Sequence, residues 1–399
     1  MKIEEKFIRY VKIDTKSDEN SSSTPSTKCQ LSLGKLLVEE LHSLGVNNAY
    51  LDKFGLVYAQ IDGDKTKDSI GLIAHMDTSP DLDGGNFEPR VIPSYDGKDI
   101  KLNDQYTLSP KDFPSLKDKI GHKLIVTDGN HLLGGDDKAG ISIIMSIVEY
   151  YIKHPEINHA PIRICFTPDE EVGRGSENFS VKKMDAKIAY TLDGGKYNDI
   201  NYENFNAYSL EVDIQGVSIH PGSAKGIMVN ASLVGNEFVS LLPKDKIPSK
   251  TEGYEGFNHL TDIVGNVEEC KLYFIIRNHD DNLAKEQIKE FYHIQSLLQK
   301  KYSTSKIEIK VKESYKNMRS YFDKDFSAIE KITKAMKKLS IEPTFTPIRG
   351  GTDGASITFM GLPCPNIGTG DYNCHGRYEY VDVDEMYLVF NIVKELLQD

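Results

Sequence analysis

His75 and Asp77 in AHMD, Asp136 in GGDDKAG, Glu170 and Glu171 in TPDEEVGRG, Asp193 in LDGG and His375 in NCHG are the residues whose types could do chemistry together. Two imidazoles and several carboxylates suit zinc or another divalent first-row cation, at a catalytic rather than a structural site. Asp169, Glu170 and Glu171 follow one another directly and repel. A cation is one source of compensation and bulk water is the other. Two neighbouring cations need a shared carboxylate, whose oxygens hold them roughly 3.5 Å apart while offsetting their repulsion. Asp136, approached through glycines, is the candidate bridge. Glu171 can then bind a cation while Glu170, unligated beside it, serves as a general base.

Taken singly, each motif has an ordinary reading. A His-x-Asp is common in surface turns, GGDD could cap the helix that follows, LDGG is a plain turn, and an acidic triplet is usually solvated. Their positions change the balance. The apolar runs SIGLIAH, PIRICFT, KIAYTLDGG and PCPNIGTG read as buried strands ended by turn residues. They alternate with helical periodicity over residues 29–45 and 138–154, where Ile141, Ile144, Met145 and Val148 share a face. This is the pattern of an α/β fold with a mixed, mostly parallel sheet flanked by helices, which places ligands beyond the carboxyl ends of its strands. All the motifs fall at such ends.

At 399 residues the chain exceeds what one hydrophobic core serves, so two domains are expected. Residues 205–317 differ in texture: AYSLEVDIQGV alternates as a half-exposed strand, NASLVGNEFVSLL is helical, CKLYFIIR a strand, NLAKEQIKEFYHIQSLLQKKY a helix and KIEIKVKESY a strand. That order, βαβαβ with room for extra short strands, predicts a smaller two-layer α+β domain over 205–317. It is inserted into a discontinuous catalytic domain of residues 1–204 and 318–399. Residues 19–28 and IDGDKTKDS are expected as mobile loops.

With 48 basic against 60 acidic residues the net charge is −12, which disfavours nucleic acid or an anionic membrane as partner and favours a small molecule. The N-terminus has no apolar core of signal-peptide length, and no run of about 18 apolar residues occurs anywhere, so a cytoplasmic location is expected. Five scattered cysteines without CxxC spacing read as reduced thiols. Cys374, beside a histidine, and Cys165, in a strand-like run, are the weaker alternatives as a catalytic thiol.

FIRYVKIDTKSD, IAHMDTSPD, LLGGDDKAGI, FTPDEEVGRG, TLDGG, ENFNA, GVSIHPGSAKG, TEGYEGFNHL, PIRGGTDGA and CHGRYEYV span the chain. Together they resemble the motifs of the di-zinc metallopeptidases of the aminopeptidase and carboxypeptidase G2 type, and within them the tripeptide aminopeptidases. The resemblance implies release of the N-terminal residue from tripeptides, with two Zn2+ per subunit and Co2+ or Mn2+ as possible substitutes. It implies that His75, Asp136 and Asp193 hold one ion and Asp136, Glu171 and His375 the other, with Asp77 orienting His75. Glu170 would take a proton from the attacking water and return it to the leaving amine. The inserted domain would be a lid that also forms a homodimer. Its His220, in GVSIHPG, would reach an active site, in related dimers that of the other subunit, to stabilise the oxyanion. Outside the family context a His-Pro turn is structural more often than not. Arg277 and Arg349 are candidate clamps for a peptide carboxylate, against the plain alternative of surface arginines.

Two departures stand out: Gly135 where alanine is expected, which should loosen its loop, and Asn278-His279 after Arg277 where an acid and an aromatic are usual. A dipeptidase or acyl-amino-acid deacylase on the same scaffold is the nearer rival, opposed by TEGYEGFNHL and PIRGGTDGA. A non-catalytic peptide binder is the further one, opposed by Glu170.

Overall fold

The run IGLIAH is buried at all six positions of the strand Ile70–His75, as a strand covered on both faces must be. It pairs in parallel with Ile162–Thr167 on one side and Ile188–Leu192 on the other, and the latter pairs in parallel with Asn366–Ile367. Antiparallel pairings extend this parallel centre, through Val57–Ile61 and then Tyr50–Leu51 at one edge and through Asp199–Asn201 at the other, where Thr344–Phe345 then pairs in parallel with Asp199–Asn201. The eight-stranded sheet is therefore mixed and mostly parallel at its centre, as expected. The structure is a computed structural model describing residues 1–399, and it divides into two compact units. The sheet belongs to the first, made of Met1–Tyr202, Ser320–Thr346 and Thr352–Asp399.

The helix Gly135–Lys153 packs on Ile70–His75 and is itself covered by the helices Ile3–Val11 and Val383–Gln398. Every residue from Ala139 to Val148 is buried. A helix apolar all round needs such a sandwich, and burying each of its isoleucines contributes roughly 1.5–3 kcal/mol. Asp136 and Asp137 have non-helical backbone angles, so regular helix begins near Lys138 and the two acids lie on the turn leading into it. On the opposite face, Gln30–Ser43 packs on the antiparallel edge and Asp353–Phe359 on Ile188–Leu192. Ile73, Cys165, Ala189, Ile357 and Cys364 fill that layer.

A second, four-stranded antiparallel sheet joins Arg90–Ile92, Leu124–Val126, Tyr380–Asp382 and Asp371–Tyr372. Residues 19–28 do not hang free: the Ser26 N–H donates to both carboxylate oxygens of Asp169, at 2.9 and 2.7 Å.

The second unit comprises Glu203–Arg319 and Pro347–Gly351. Its antiparallel sheet runs Phe257–Gly265, Glu269–Asn278, Asn206–Gln215, Lys306–Tyr315. The helices Ala231–Leu241 and Asp281–Lys301 cover one face around Val212, Phe238, Leu272 and Phe291. Each helix begins at a side-chain cap, Asn230 and Asp280, that accepts two backbone N–H groups. The edge strand is nine residues long rather than a short extra, with Ile263 and Val264 exposed. Pro347–Gly351 departs from the expected boundary of 205–317: Ile348 donates its N–H to Glu203 O at 2.8 Å and so joins this unit. No helix is long and apolar enough to cross a membrane, and all five cysteines are free.

Candidate metal centre

Three parallel strands deliver the centre's side chains at their carboxyl ends. His75 is the last residue of its strand and lies opposite Thr167, which ends the next. Asp193 directly follows Leu192. Beyond Thr167 the chain reverses through Asp169, whose φ of 60° is left-handed, into the short 3-10 turn Glu170–Val172. The Asp169 carboxylate, beyond its two bonds from Ser26, accepts Gln30 Nε2 at 2.8 Å. The first acid of the triplet is thus spent on shaping the turn. Asp77 fixes the other two, its oxygens accepting the backbone N–H of Glu170 at 3.0 Å and of Glu171 at 3.1 Å. Asp136 arrives on the turn before its helix, and His375, with φ 63°, on the loop after Asp371–Tyr372.

His75 Nε2 lies 2.7 Å from Asp136 Oδ1 and 3.8 Å from Asp193 Oδ1. His375 Nε2 lies 3.3 Å from Asp136 Oδ2 and 2.8 Å from Glu171 Oε2. One oxygen of Asp136 therefore faces His75 and the other faces His375, with Asp193 beside the first imidazole and Glu171 beside the second. Donors bound tetrahedrally to zinc at 2.0–2.2 Å would stand roughly 3.3 Å apart, inside the observed spread. Glu171 Oε1 is buried and has no hydrogen-bond partner. The residues fit a pair of cations.

The charges agree. Burial, with repulsion from Asp136, pushes the Glu171 carboxyl up to about 8. Burial likewise raises Glu170 well above its ordinary range, with Asp193, Asp353 and Glu171 adding to it, and Asp193 is raised by burial and Asp136. Hydrogen bonds to Asp136 and Glu171 lift His375 to about 11. Burial alone would lower His75, but its contacts with Asp136, Asp193 and Asp77 outweigh that and raise it. Protons are held where positive charge is wanted, which a cation supplies better.

Asp77 lies beside His75 and also serves the acidic turn. His75 Nδ1 approaches the Asp77 carbonyl oxygen at 3.1 Å and its carboxylate at 3.4 Å, and the same carboxylate holds the Glu170–Glu171 turn. Glu170 lines a small cavity with His75, Asp193 and Asp353, and its Oε1 accepts the Asp353 N–H at 3.3 Å.

Three supporting acids escaped the sequence reading. Asp353 accepts the Thr167 hydroxyl at 2.9 Å, and burial raises it to about 7. Glu379 accepts the N–H groups of Gly134 and Asp136 at 2.9 and 3.1 Å, holding the loop that presents the bridge. Asp137 accepts the His75 N–H at 3.1 Å. All three lie in motifs already quoted, and an acid inside an otherwise apolar or glycine-rich run was the available clue.

His220, Arg277 and Arg349 belong to the second unit. His220 is exposed, and its Nδ1 accepts the Gly222 N–H at 3.1 Å. Arg277 donates to Ile276 O at 3.0 Å and Tyr208 O at 3.4 Å and stacks on Tyr315. Arg349 donates to Gly253 O, Glu255 O and Thr251 Oγ1 at 2.7, 2.8 and 3.0 Å. A cavity of about 810 Å³ in this unit, lined by Lys246, Lys250, Glu286 and His293 among others, shares no residue with the donor cluster and carries mixed charge.

The sequence profile described as peptidase family M20/M25/M40 matches residues 121–399. A Peptidase T of Clostridium perfringens (strain 13 / Type A) is 50% identical over 399 residues, covering 98% of each chain. The chain belongs to peptidase family M20/M25/M40. A Peptidase T of Bacillus subtilis (strain 168) is 47% identical over 396 residues, covering 98% of this chain and 97% of its own. Among solved structures, aminopeptidase PepT from Bacillus cereus superposes with a TM-score of 0.77 at 20% identity, covering 100% of this chain and 97% of that one. A dinuclear metal-binding M20 peptidase of Bacillus subtilis gives 0.65 at 11%, covering 99% and 96%. These two share the fold. As a member of the family the chain is a metal-dependent peptidase.

Proposed function

We propose that this chain is an aminopeptidase that uses two zinc ions to release the N-terminal residue of tripeptides. The observation that carries the reading is the placement of Asp136, with one oxygen toward His75 and the other toward His375, while Asp193 and Glu171 stand beside those two imidazoles. The substrate class is supported by relatives named Peptidase T that are 46–50% identical over nearly the whole chain.

Cations in this donor set supply Lewis acidity, polarising the scissile carbonyl and acidifying a water. Glu170 takes the proton of that water as its oxygen attacks the carbonyl carbon. When the C–N bond breaks, Glu170 passes the proton to the leaving nitrogen. Its burial among Asp193, Asp353 and Glu171 raises its proton affinity, so it can hold the proton between the two steps. Asp77 keeps Glu170 in place through the backbone, and the Asp353 N–H steadies its carboxylate. In the homodimer we infer, the second unit serves as lid and His220 donates to the oxyanion. Arg277 could meet a peptide carboxylate, whereas Arg349, whose N–H groups are spent on residues 251–255, acts by shaping that loop. Zinc as the resident ion and a cytoplasmic location belong to the same proposal.

Hydrolysis of free-amine di-, tri- and tetrapeptides should be compared with that of an N-acetylated tripeptide. Preference for the free-amine tripeptide is expected. Preference for dipeptides or for the blocked substrate would replace this reading with a dipeptidase or a deacylase.

A further inference from the structure

Cys374 and Asp371 lie beside the bridging carboxylate and take no part in the chemistry above. The thiol donates to Asp371 Oδ2 at 2.9 Å. Asp371 is only 1% exposed, and its other oxygen is buried with no hydrogen-bond partner. A buried carboxylate oxygen without a donor is costly unless something positive meets it. Donor atoms of Asp136, Asp371 and Cys374 all lie within 4.8 Å of one another.

Gly135 shows that the arrangement is built. A Cβ at this position would stand 2.4 Å from Asp371 Oδ1 and 2.6 Å from Val381 Cγ2. At the glycine that departs from the family resemblance, the space its missing methyl leaves is filled by the Asp371 carboxylate. That carboxylate in turn holds Cys374, which is half-buried.

A thiol among carboxylates selects zinc or cadmium over magnesium or calcium. With bonds of about 2.3 Å to sulfur and about 2.1 Å to oxygen, tetrahedral donors stand roughly 3.6 Å apart, which these side chains reach with small adjustments.

We propose that Cys374, Asp371 and one oxygen of Asp136 form a third cation site for a thiophilic divalent ion, and that its occupation inhibits hydrolysis by drawing the bridging carboxylate away from the centre. Binding forms a metal–sulfur bond and releases the thiol proton to solvent. The inhibitory consequence rests on the two-ion reading; the binding itself does not.

Enzyme carrying two equivalents of zinc is titrated with cadmium, following bound metal by equilibrium dialysis, the sulfur-to-cadmium absorption band in the ultraviolet, and tripeptide hydrolysis. One further equivalent should bind, with the band rising and hydrolysis falling at least tenfold in step. Cys374→Ser should keep both zinc ions and its hydrolysis, lose the band, and need at least tenfold more cadmium for inhibition. Asp371→Asn should weaken the third equivalent at least tenfold. Absence of a third equivalent, cadmium binding without the band, or inhibition unchanged in Cys374→Ser would each overturn the proposal. Failure of the two-ion reading looks different, as fewer than two equivalents of zinc before any cadmium is added.

Discussion

Replacing Asp77 with asparagine separates two jobs that one residue could do. The carboxylate is fully buried and accepts the N–H groups of Glu170 and Glu171 at 3.0 and 3.1 Å. His75 Nδ1 lies 3.1 Å from the residue's own carbonyl, which the substitution leaves alone, and farther, at 3.4 Å, from the carboxylate it changes. Asparagine keeps one acceptor and turns an amide N–H2 toward the other backbone N–H. A lost hydrogen bond to a charged acceptor is worth about 1.5–3 kcal/mol and a buried unpaired donor costs about 1–3 kcal/mol, so roughly 2.5–6 kcal/mol of stability is at stake. Removing one negative charge from a crowded acidic cluster offsets part of this and favours the lower end. The catalytic effect follows from Glu170 riding on the same backbone, where a displacement of about 1 Å costs about 100-fold in rate. Urea unfolding, kcat on a tripeptide and zinc content should be measured on the same samples. The expected result is a lowered unfolding midpoint and a kcat down about 100-fold with two zinc ions retained. Zinc lost in step with activity would show that Asp77 works through His75, and an unchanged kcat would refute its hold on Glu170.

Glu170→Gln should keep its zinc while the rate falls by about 10²–10⁴, the usual worth of a general base; a rate within tenfold of the parent would remove Glu170 from proton transfer. Arg349→Ala removes three hydrogen bonds to residues 251–255, so limited proteolysis should cut that loop faster, and an unchanged pattern would show that the loop holds itself. At the acid end, burial works to raise Glu149, but hydrogen bonds from Lys153, Lys6 and the N-terminal ammonium hold it at about 2 against an ordinary 4.5. A lowered folded value stabilises above the unfolded one and is lost as pH falls from 4.5 toward 2. Glu149→Gln should flatten the fall in urea midpoint across that window, and parallel curves for both proteins would contradict this.

Much of this was legible because the chemistry sits at the ends of strong hydrophobic runs. IGLIAH, IRICFT and IAYTL announce parallel strands, and His75, the acids after Thr167 and Asp193 are the residues immediately at or past their ends, so sheet topology alone brings them together. Asp136 and His375 are less determined, since each rides a turn whose course depends on distant partners such as Glu379. The strands Arg90–Ile92, Leu124–Val126 and Asp371–Tyr372, of two or three residues each, are too short for periodicity to register. Asp353 follows Thr352, the cap of a seven-residue helix, and in sequence looks like a helix start rather than a partner of Glu170. The membership of Pro347–Gly351 in the second unit depends on pairing with residues more than a hundred positions away, which no local pattern reports. The family resemblance implied that Asp77 orients His75; that its carboxylate also takes two backbone donors of the acidic triplet depends on how that turn folds back.

The central claim is that Asp136 serves two cations, one on each oxygen. Anomalous scattering at the zinc absorption edge, recorded from crystals of zinc-loaded enzyme, tests it most directly. The account predicts two peaks about 3.5–4 Å apart, one beside His75 and Asp193 and the other beside His375 and Glu171, with Asp136 between them. A single peak, or a pair that leaves Asp136 unligated, would contradict it.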